Sequence, residues 1–427
     1  MNSAYHPDTI VAISTAPGMG AIAVIRLSGV HAIKIVDKLF KKSGGGNLQQ
    51  QETHSLHFGT LWSGDMLLDE VVVSLFKNPK SYTGEDVIEL SCHGSLFIQQ
   101  EIVQLIIKTG ARLANPGEFT LRAFLNGKLD LSQAEAVADL IASESQASHE
   151  VALQQMRGGY SSEIDLLRQK LIDFAALIEL ELDFSEEDVE FANRSDLEIL
   201  LKALQQKLKI LVDSFAYGNA IKEGVPVAIA GKPNAGKSSL LNTLFKEEKA
   251  IVSDIAGTTR DAIEDTMVMN GIKFRFIDTA GLRETSDSIE FMGIEKTKEK
   301  ISKAKILLYL FDRMDCTPEE VVKDVKNLYH DDLIVLLVET KIDQYGGFFE
   351  NEFNKQVMDA LSGDFVNTLV GITIEDHHTI NALKDILQQE VSELKTACDV
   401  VVVNLRHFNA LTKALEAITS VQEGMQS

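Results

Sequence analysis

Gly231-Lys232-Pro233-Asn234-Ala235-Gly236-Lys237-Ser238 keeps the G-x-x-x-x-G-K-S spacing of a phosphate-binding loop, between an apolar strand-like run at 225–230 and a helical pattern beginning near Ser239. Small residues there let successive backbone N–H groups face phosphates. The helix N-terminus adds positive potential, Lys237 reaches the β/γ-phosphates, and the Ser238 hydroxyl can ligate Mg²⁺. Downstream, Asp278-Thr279-Ala280-Gly281 follows a strand-like run, so Asp278 can hold the Mg²⁺ shell through water while the Gly281 backbone meets a γ-phosphate. Thr258 and Thr259, in Gly257-Thr258-Thr259-Arg260-Asp261, offer a hydroxyl to the same metal. In Thr340-Lys341-Ile342-Asp343, the Asp343 carboxylate can accept two hydrogen bonds from guanine N1 and N2, which adenine cannot offer.

The order and spacing of these segments point to GTP. Two positions depart from the usual pattern. Thr340 stands where Asn-Lys-x-Asp has its asparagine, so an amide that braces the loop is missing, and the further guanine loop has only Thr373-Ile374-Glu375 to offer. Leu282 stands where Ras-like GTPases orient the attacking water with a glutamine, which leaves Arg283, Glu284, Asp287 and Glu290 as candidates for that task.

Elements that must position these residues can be read from periodicity. Residues 8–116 predict mixed α/β structure: strands at 10–14, 21–27, 54–62, 68–76 and 86–91, with helices over 31–40 and 95–109. Ser63-Gly64-Asp65 marks a hairpin. From Glu118 the pattern is helical; Leu167, Leu171, Phe174 and Ile178 share one face, and Leu200, Leu204, Leu208, Leu211 and Phe215 predict a helix capped by Ser195 or Asp196 and ending near Gly224. Nine acidic residues against Arg194 alone between Glu179 and Glu198 predict a solvated connection. Strands at 225–230, 272–277, 305–311 and 333–338, with helices between several of them, predict a largely parallel sheet, and Asn270-Gly271 predicts one antiparallel hairpin. Helical spacing returns at Phe408, Leu411, Leu415 and Ile418, so the α/β segment reads as an insertion in a helical domain.

Charge and cysteine usage narrow the partners. With 41 Lys+Arg against 63 Asp+Glu, a net charge of −22 disfavours electrostatic nucleic-acid binding by this chain alone. No apolar run approaches the roughly 18 residues of a membrane span, and no basic residue before Arg26 opens a signal peptide, so a cytoplasmic, non-membrane protein is expected. Cys92, Cys316 and Cys398 are too scattered for a disulfide framework, and neither Cys92-His93 nor His377-His378 has a second pair at metal-ligand spacing.

The segments Asp8-Thr9-Ile10-Val11-Ala12, Ser81-Tyr82-Thr83-Gly84-Glu85-Asp86, Pro116-Gly117-Glu118-Phe119, the run from Arg122 to Leu131, Gln133 to Ile141, and Ile255-Ala256-Gly257-Thr258-Thr259-Arg260-Asp261, taken with the phosphate loop, closely resemble the MnmE (TrmE) family of tRNA-modification GTPases. The resemblance implies an α/β plus all-α architecture: an N-terminal folate-binding-like and dimerisation domain over 1–117, a helical domain over 118–222 that resumes, shortened, over 397–427, and a Ras-like P-loop GTPase domain inserted at 223–396. It implies that Arg26, Glu89 and Lys128 contact a tetrahydrofolate, with 5,10-methylenetetrahydrofolate as donor and 5-formyltetrahydrofolate as analogue.

In the GTPase domain the resemblance implies nucleotide contacts from Asn234, Ala235, Gly236, Lys237, Ser238 and Ser239, from Ser253, Asp254, Ile255, Ala256, Gly257, Thr258 and Thr259, from Asp278, Thr279, Ala280 and Gly281, and from Thr340, Lys341 and Asp343. Mg²⁺ falls to Ser238 and Thr259. A K⁺ ion takes Asn234, Ser253, Ile255 and Thr258, and Glu290, with Arg283 beside it, takes the catalytic role left open at Leu282. The implied partners are a second copy through the N-terminal domain, the flavoprotein MnmG, and tRNA held mainly by the complex, for aminomethyl or carboxymethylaminomethyl addition at C5 of the wobble uridine. Full-length members finish in a Cys-x-Gly-Lys motif, whereas this chain stops at Ser427, so a truncated member with doubtful modification activity is expected. Two other readings stand beside this one: a ribosome-assembly GTPase, which would need a basic RNA-binding module, and a switch whose GTP cycle only moves partners.

Overall fold

Alternating apolar residues in the first hundred positions build a single seven-stranded sheet. The computed structural model describes residues 8–159, 161–183, 194–248, 265–277, 301–345, 351–361, 368–394 and 401–426. Contacts divide the chain into one unit running to Ala138 and including Met156–Gly158, and another made of Asp139–Gln155 and everything from Gly159 onward.

In the first unit the elements run β1 (Ile10–Ile13), β2 (Ile22–Ser28), α1 (Ala32–Asp37), β3 (Phe40–Lys42), β4 (Ser55–Ser63), β5 (Met66–Phe76), β6 (Val87–His93), α2 (Leu96–Lys108), β7 (Arg112–Leu113) and α3 (Glu118–Leu125); α4 (Leu131–Ile141) begins in this unit, and α5 (Gln146–Met156) belongs to the second but for its last residue. The sheet order is β3-β4-β5-β6-β2-β1-β7, antiparallel except where β1 meets β7. Ala23, Ile25, Leu27, Leu90 and Cys92 face inward and pack in one cluster with Ile102 and Ile106 of α2. The β4–β5 hairpin turns at Gly64, with φ +62°, as expected from Ser63-Gly64-Asp65. The helix expected over 31–40 stops at Asp37, because Phe40 is buried and pairs with Leu61 as the first residue of β3.

A buried charge network holds the loop between β5 and β6 against α3. Arg122, only 4% exposed, donates to the Asp8 carbonyl (3.0 Å), to the Asp8 carboxylate (2.8 Å), to Glu85 (3.1 Å) and to Glu118 (3.0 Å). Arg112 adds two bonds to Glu118 (2.8 and 2.5 Å) and one to Asp8. Ser28 Oγ donates to Glu85 at 2.6 Å and contacts Thr83 Oγ1 at 2.7 Å, so β2 joins the same knot. A buried guanidinium is tolerated only when its donors are matched, and here three carboxylates match them.

The second unit continues with α6 (Ser161–Asp183), α7 (Arg194–Asp213), α8 (Phe215–Glu223), β8 (Val225–Gly231), α9 (Lys237–Glu248), β9 (Asp265–Met269), β10 (Ile272–Phe276), β11 (Ile306–Phe311), α10 (Pro318–Leu328), β12 (Ile334–Glu339), α11 (Glu352–Leu361), β13 (Thr368–Gly371), α12 (His377–Glu393) and α13 (Leu405–Gln426). Leu167, Leu171, Phe174 and Ile178 pack with Leu197, Leu201, Leu204, Leu208 and Leu211 of α7 and with Leu411 and Ile418 of α13, so chain on both sides of the α/β segment shares one apolar cluster. The helix expected to run unbroken to Gly224 breaks at Ser214. This buried residue donates from Oγ to the Leu211 carbonyl (2.7 Å) and accepts the Val402 amide (3.1 Å). Arg194 opens α7, so Ser195 and Asp196 lie inside its first turn and neither is its cap.

The six-stranded sheet runs β13-β12-β11-β8-β10-β9, parallel except for β9, which pairs with β10 through the Asn270-Gly271 turn. β11 is buried at every position, as a central parallel strand covered on both faces must be. No helix among the described residues is long and apolar enough to cross a membrane.

The charge network makes the first unit acid-labile. Hydrogen bonds from Arg112 pull the Glu118 carboxyl from its ordinary 4.5 down to about 2, outweighing burial, which pushes it up. A carboxyl whose folded pKa lies below its unfolded value stabilises the fold above the unfolded value and ceases to do so as pH falls toward the folded one. Stability is therefore expected to drop between pH 4.5 and 2 by up to about 3 kcal/mol from this group. Trp62, the single tryptophan of the chain, lies in β4 and reports unfolding of this unit. Its fluorescence should show a lower starting stability and a flatter acid limb in Glu118→Gln; an unchanged acid limb would refute the assignment.

Candidate functional site

The strand–loop–helix at 225–248 is built as its sequence requires. Gly231 ends β8 at φ +141°, and a Cβ there would lie 2.1 Å from the Leu310 carbonyl oxygen, so only glycine fits beside β11. Asn234 and Gly236 take φ +62° and +86°, turning the loop before α9 starts at Lys237. The Lys237 ammonium is drawn into the loop, donating to the Gly231 carbonyl at 2.6 Å and the Lys232 carbonyl at 2.7 Å, and burial lowers its pKa below the ordinary lysine value. Lys232 points outward to Glu320 (2.6 Å), whose carboxylate also closes the capping box of α10.

Two strands away, β12 delivers Thr340-Lys341-Ile342-Asp343 to the same end of the sheet. A cavity of about 240 Å³ opens between the loops, with Gly236, Ser239 and Leu240 on one side and Thr340, Lys341 and Asp343 on the other. Thr373, Ile374 and Glu375 line it as well. This third loop follows β13, a strand absent from the sequence expectation because Thr368-Leu369-Val370-Gly371 is too short a run to show a period. Ile372 donates its amide to the Glu339 carbonyl (2.7 Å), which seats the third loop against the second. The cavity thus brings Gly236 and Ser239, which flank Lys237, to one side and the Asp343 carboxylate to the other.

Ser253, Asp254, Ile255, Ala256, Gly257, Thr258, Thr259, Asp278, Thr279, Ala280, Gly281, Leu282, Arg283 and Glu290 lie outside the described residues, as does Cys398. Cys92 and Cys316 are described. Burial pushes both thiols up to about 11, which makes them poor nucleophiles at neutral pH. His93 pairs through Nδ1 with Asp69 at 2.7 Å.

In the first unit, Arg26 and Glu89 face each other across β2 and β6 and form a salt bridge of 2.7 Å. The Arg26 guanidinium lies over the rings of Tyr82 (5.4 Å) and Phe119 (5.7 Å). Lys128 is exposed, and its chain lies against Gly84, where a Cβ would come within 3.3 Å of Lys128 Cγ. Asn126 donates to the Thr83 carbonyl at 2.7 Å, so the loop carrying Tyr82 is tied both to Arg26 and to the segment that carries Lys128. Tyr82 and Phe119 appeared in the sequence only as members of motifs; their place around Arg26 depends on pairings across the fold.

A phosphate loop leaving a parallel strand, with an acceptor carboxylate two strands away in one cavity, defines a nucleotide-binding α/β unit of the P-loop class. The family model described as "GTP-binding protein TrmE N-terminus" matches residues 9–128, and that of the "MnmE helical domain" matches 131–427. Curated proteins named tRNA modification GTPase MnmE are 50% identical to the chain in Flavobacterium johnsoniae, covering 99% of it and 91% of that protein, and 49% identical in Cytophaga hutchinsonii, covering 99% and 89%. The relative of the same name in Bacteroides fragilis is 50% identical over 99% of the chain and 91% of its own length. The chain belongs to the MnmE (TrmE) family.

An asparagine at position 343 keeps the size of the side chain but exchanges one acceptor for a donor, which suits the C2 carbonyl of xanthine. Asp343→Asn is expected to lower GTP affinity by at least about tenfold and to raise XTP affinity, measured by titration with fluorescent nucleotides. Retention of the GTP preference would remove Asp343 from base recognition.

Proposed function

We infer that this chain is a GTP-hydrolysing component of the system that modifies C5 of the wobble uridine in tRNA. The observation that carries the reading is the phosphate loop and Asp343 in one cavity, on a chain about half identical over its length to tRNA modification GTPases. We take residues 223–396 as a Ras-like GTPase domain inserted into a helical domain of 118–222 and 397–427, behind an N-terminal domain of 1–117. The shared apolar cluster of α6, α7 and α13 supports the insertion.

In this reading the amides and Lys237 of the loop bind the phosphates, Asp343 binds the guanine edge, and Ser238 with Thr259 supplies hydroxyls for Mg²⁺, with Asp278 behind them. Asn234 fits an oxygen donor to K⁺: it is exposed, and its left-handed backbone sets it at the crest of the loop. Ser253, Ile255 and Thr258 complete that donor set. Bound there, a monovalent cation supplies positive charge where negative charge develops between the β- and γ-phosphates. Glu290 orients the attacking water, with Arg283 as its charged neighbour.

For the one-carbon step, Arg26, Glu89 and Lys128 take a tetrahydrofolate such as 5,10-methylenetetrahydrofolate. The donor set fits that ligand: Glu89 can accept from the amino and ring N–H groups of a pterin, and the two cations suit its carboxylates and formyl oxygen. Arg26 and Glu89 pair with each other at 2.7 Å, so in this reading binding exchanges one pair of charge-assisted bonds for another. A second copy is proposed to dock on the first unit. Leu56, Phe58 and Val72 support this, being 71%, 53% and 36% exposed, with Phe58 and Val72 paired across β4 and β5. The net charge of −22 supports a tRNA held mainly by a flavoprotein partner, MnmG.

Two measurements test this reading. Calorimetry with 5-formyltetrahydrofolate should show binding that Glu89→Ala weakens by at least about tenfold without altering GTP affinity; equal binding by both proteins removes the folate assignment. GTP turnover should be faster in potassium than in sodium, and Glu290→Ala should slow it by roughly ten- to a thousandfold with GTP binding intact. Turnover indifferent to cation and substitution would sink both roles.

A further inference from the structure

Thr340 leaves the base loop short of an anchor. Its hydroxyl donates to the Phe311 carbonyl at 3.2 Å, and its methyl faces Gly236, so its single donor is spent on the neighbouring strand. A second anchor stands beside it. Asp312, the residue after β11, is 5% exposed, and its carboxylate receives the Lys341 ammonium at 2.8 Å, the Met314 amide at 3.0 Å and the Tyr345 hydroxyl. Lys341, at φ +57°, and Tyr345 lie two residues before and two residues after Asp343, so both ends of the short turn that presents Asp343 are fixed to one buried carboxylate. The Tyr345 ring is covered by the Arg313 guanidinium at 4.2 Å, and Arg313 leans on Glu339 (3.4 Å), a buried carboxylate that also accepts Asn354 at 2.8 Å.

We propose that Asp312 and Tyr345 are positioning residues that set the Asp343 carboxylate in register with the guanine edge, taking over the bracing that the loop loses with Thr340. The proposal rests on the reading of Asp343 as the guanine acceptor. Its physical basis is directional: two hydrogen bonds to a base edge require the carboxylate to be held within a fraction of an ångström, and apolar packing of an exposed turn does not do that. The Lys341 and Tyr345 hydrogen bonds keep Asp312 ionised despite its burial, holding its pKa below the usual carboxylate value. Removal of the Tyr345 hydroxyl leaves the ring, its cover by Arg313 and the Lys341 pair in place, and frees only the far end of the turn.

The test uses the full chain and two fluorescent nucleotides, GDP and IDP; IDP lacks the exocyclic amino group and so can make only one of the two bonds to Asp343. Wild type should prefer GDP. Tyr345→Phe and Asp312→Asn should each weaken GDP by about three- to tenfold, mostly through faster release, and weaken IDP less, so that the GDP/IDP ratio shrinks. An equal loss for both nucleotides would mark a merely structural role and overturn the proposal, as would an unchanged ratio in Tyr345→Phe, the milder substitution, with an unaltered melting temperature. A wild type that fails to prefer GDP over IDP would bring down the Asp343 reading and this proposal together, whereas preference in wild type with indifferent variants brings down this proposal alone.

Discussion

Parallel register along β8, β11, β12 and β13 is the constraint on which the nucleotide site depends. Leu310 pairs with Gly231, Phe311 with Glu339, and Glu339 with Gly371, so four loops that are distant in sequence leave the sheet at one level. Parallel strands demand a crossover between each pair, which puts helices over both faces and every strand-end loop of this kind on one edge. The phosphate loop, the Asp312 turn, the Asp343 turn and Thr373-Ile374-Glu375 therefore converge without direct contact between most of their side chains. The strands supply position, and the loops supply chemistry.

The first unit solves a similar problem by different means. Its sheet is almost wholly antiparallel, and the loop at 77–86 that bears Tyr82 and Gly84 has no ladder to fix it. Arg122 does so instead, gathering Asp8, Glu85 and Glu118 from three separate segments around one guanidinium. A planar fork of donors imposes angles as well as distances, which apolar contact cannot. Through Thr83, Asn126 and Gly84 that geometry reaches the surroundings of Arg26 and Lys128.

Much of this was legible in the sequence, and what was not has a physical pattern. The phosphate loop, the Gly64 and Asn270-Gly271 turns and the helical faces through Leu171 and Leu208 each depend on residues within a turn or two of one another, and local spacing reveals them. β3, β7 and β13 have three, two and four residues, too few to express an alternation. The long helix expected through Ser214 breaks there, where the Ser214 hydroxyl accepts the amide of Val402, nearly two hundred residues away. Tyr82 beside Arg26, and Asp312 between Lys341 and Tyr345, are likewise made by pairings that no periodicity encodes.

The ammonium of Lys237 is committed to its own loop. Its ammonium already donates to two loop carbonyls at hydrogen-bond distance, so phosphates that draw it outward gain the difference between two sets of bonds rather than a full new set. Arg26 and Glu89 likewise satisfy each other's charge across β2 and β6. On the proposed reading of the site, the terminal phosphates are alike in every nucleoside triphosphate, so selection among nucleotides would fall to the base end. There the Asp343 turn is anchored at both flanks to buried Asp312, and that rigidity is what the proposed discrimination would draw on, in a place where the loop's own residue, Thr340, supplies little of it.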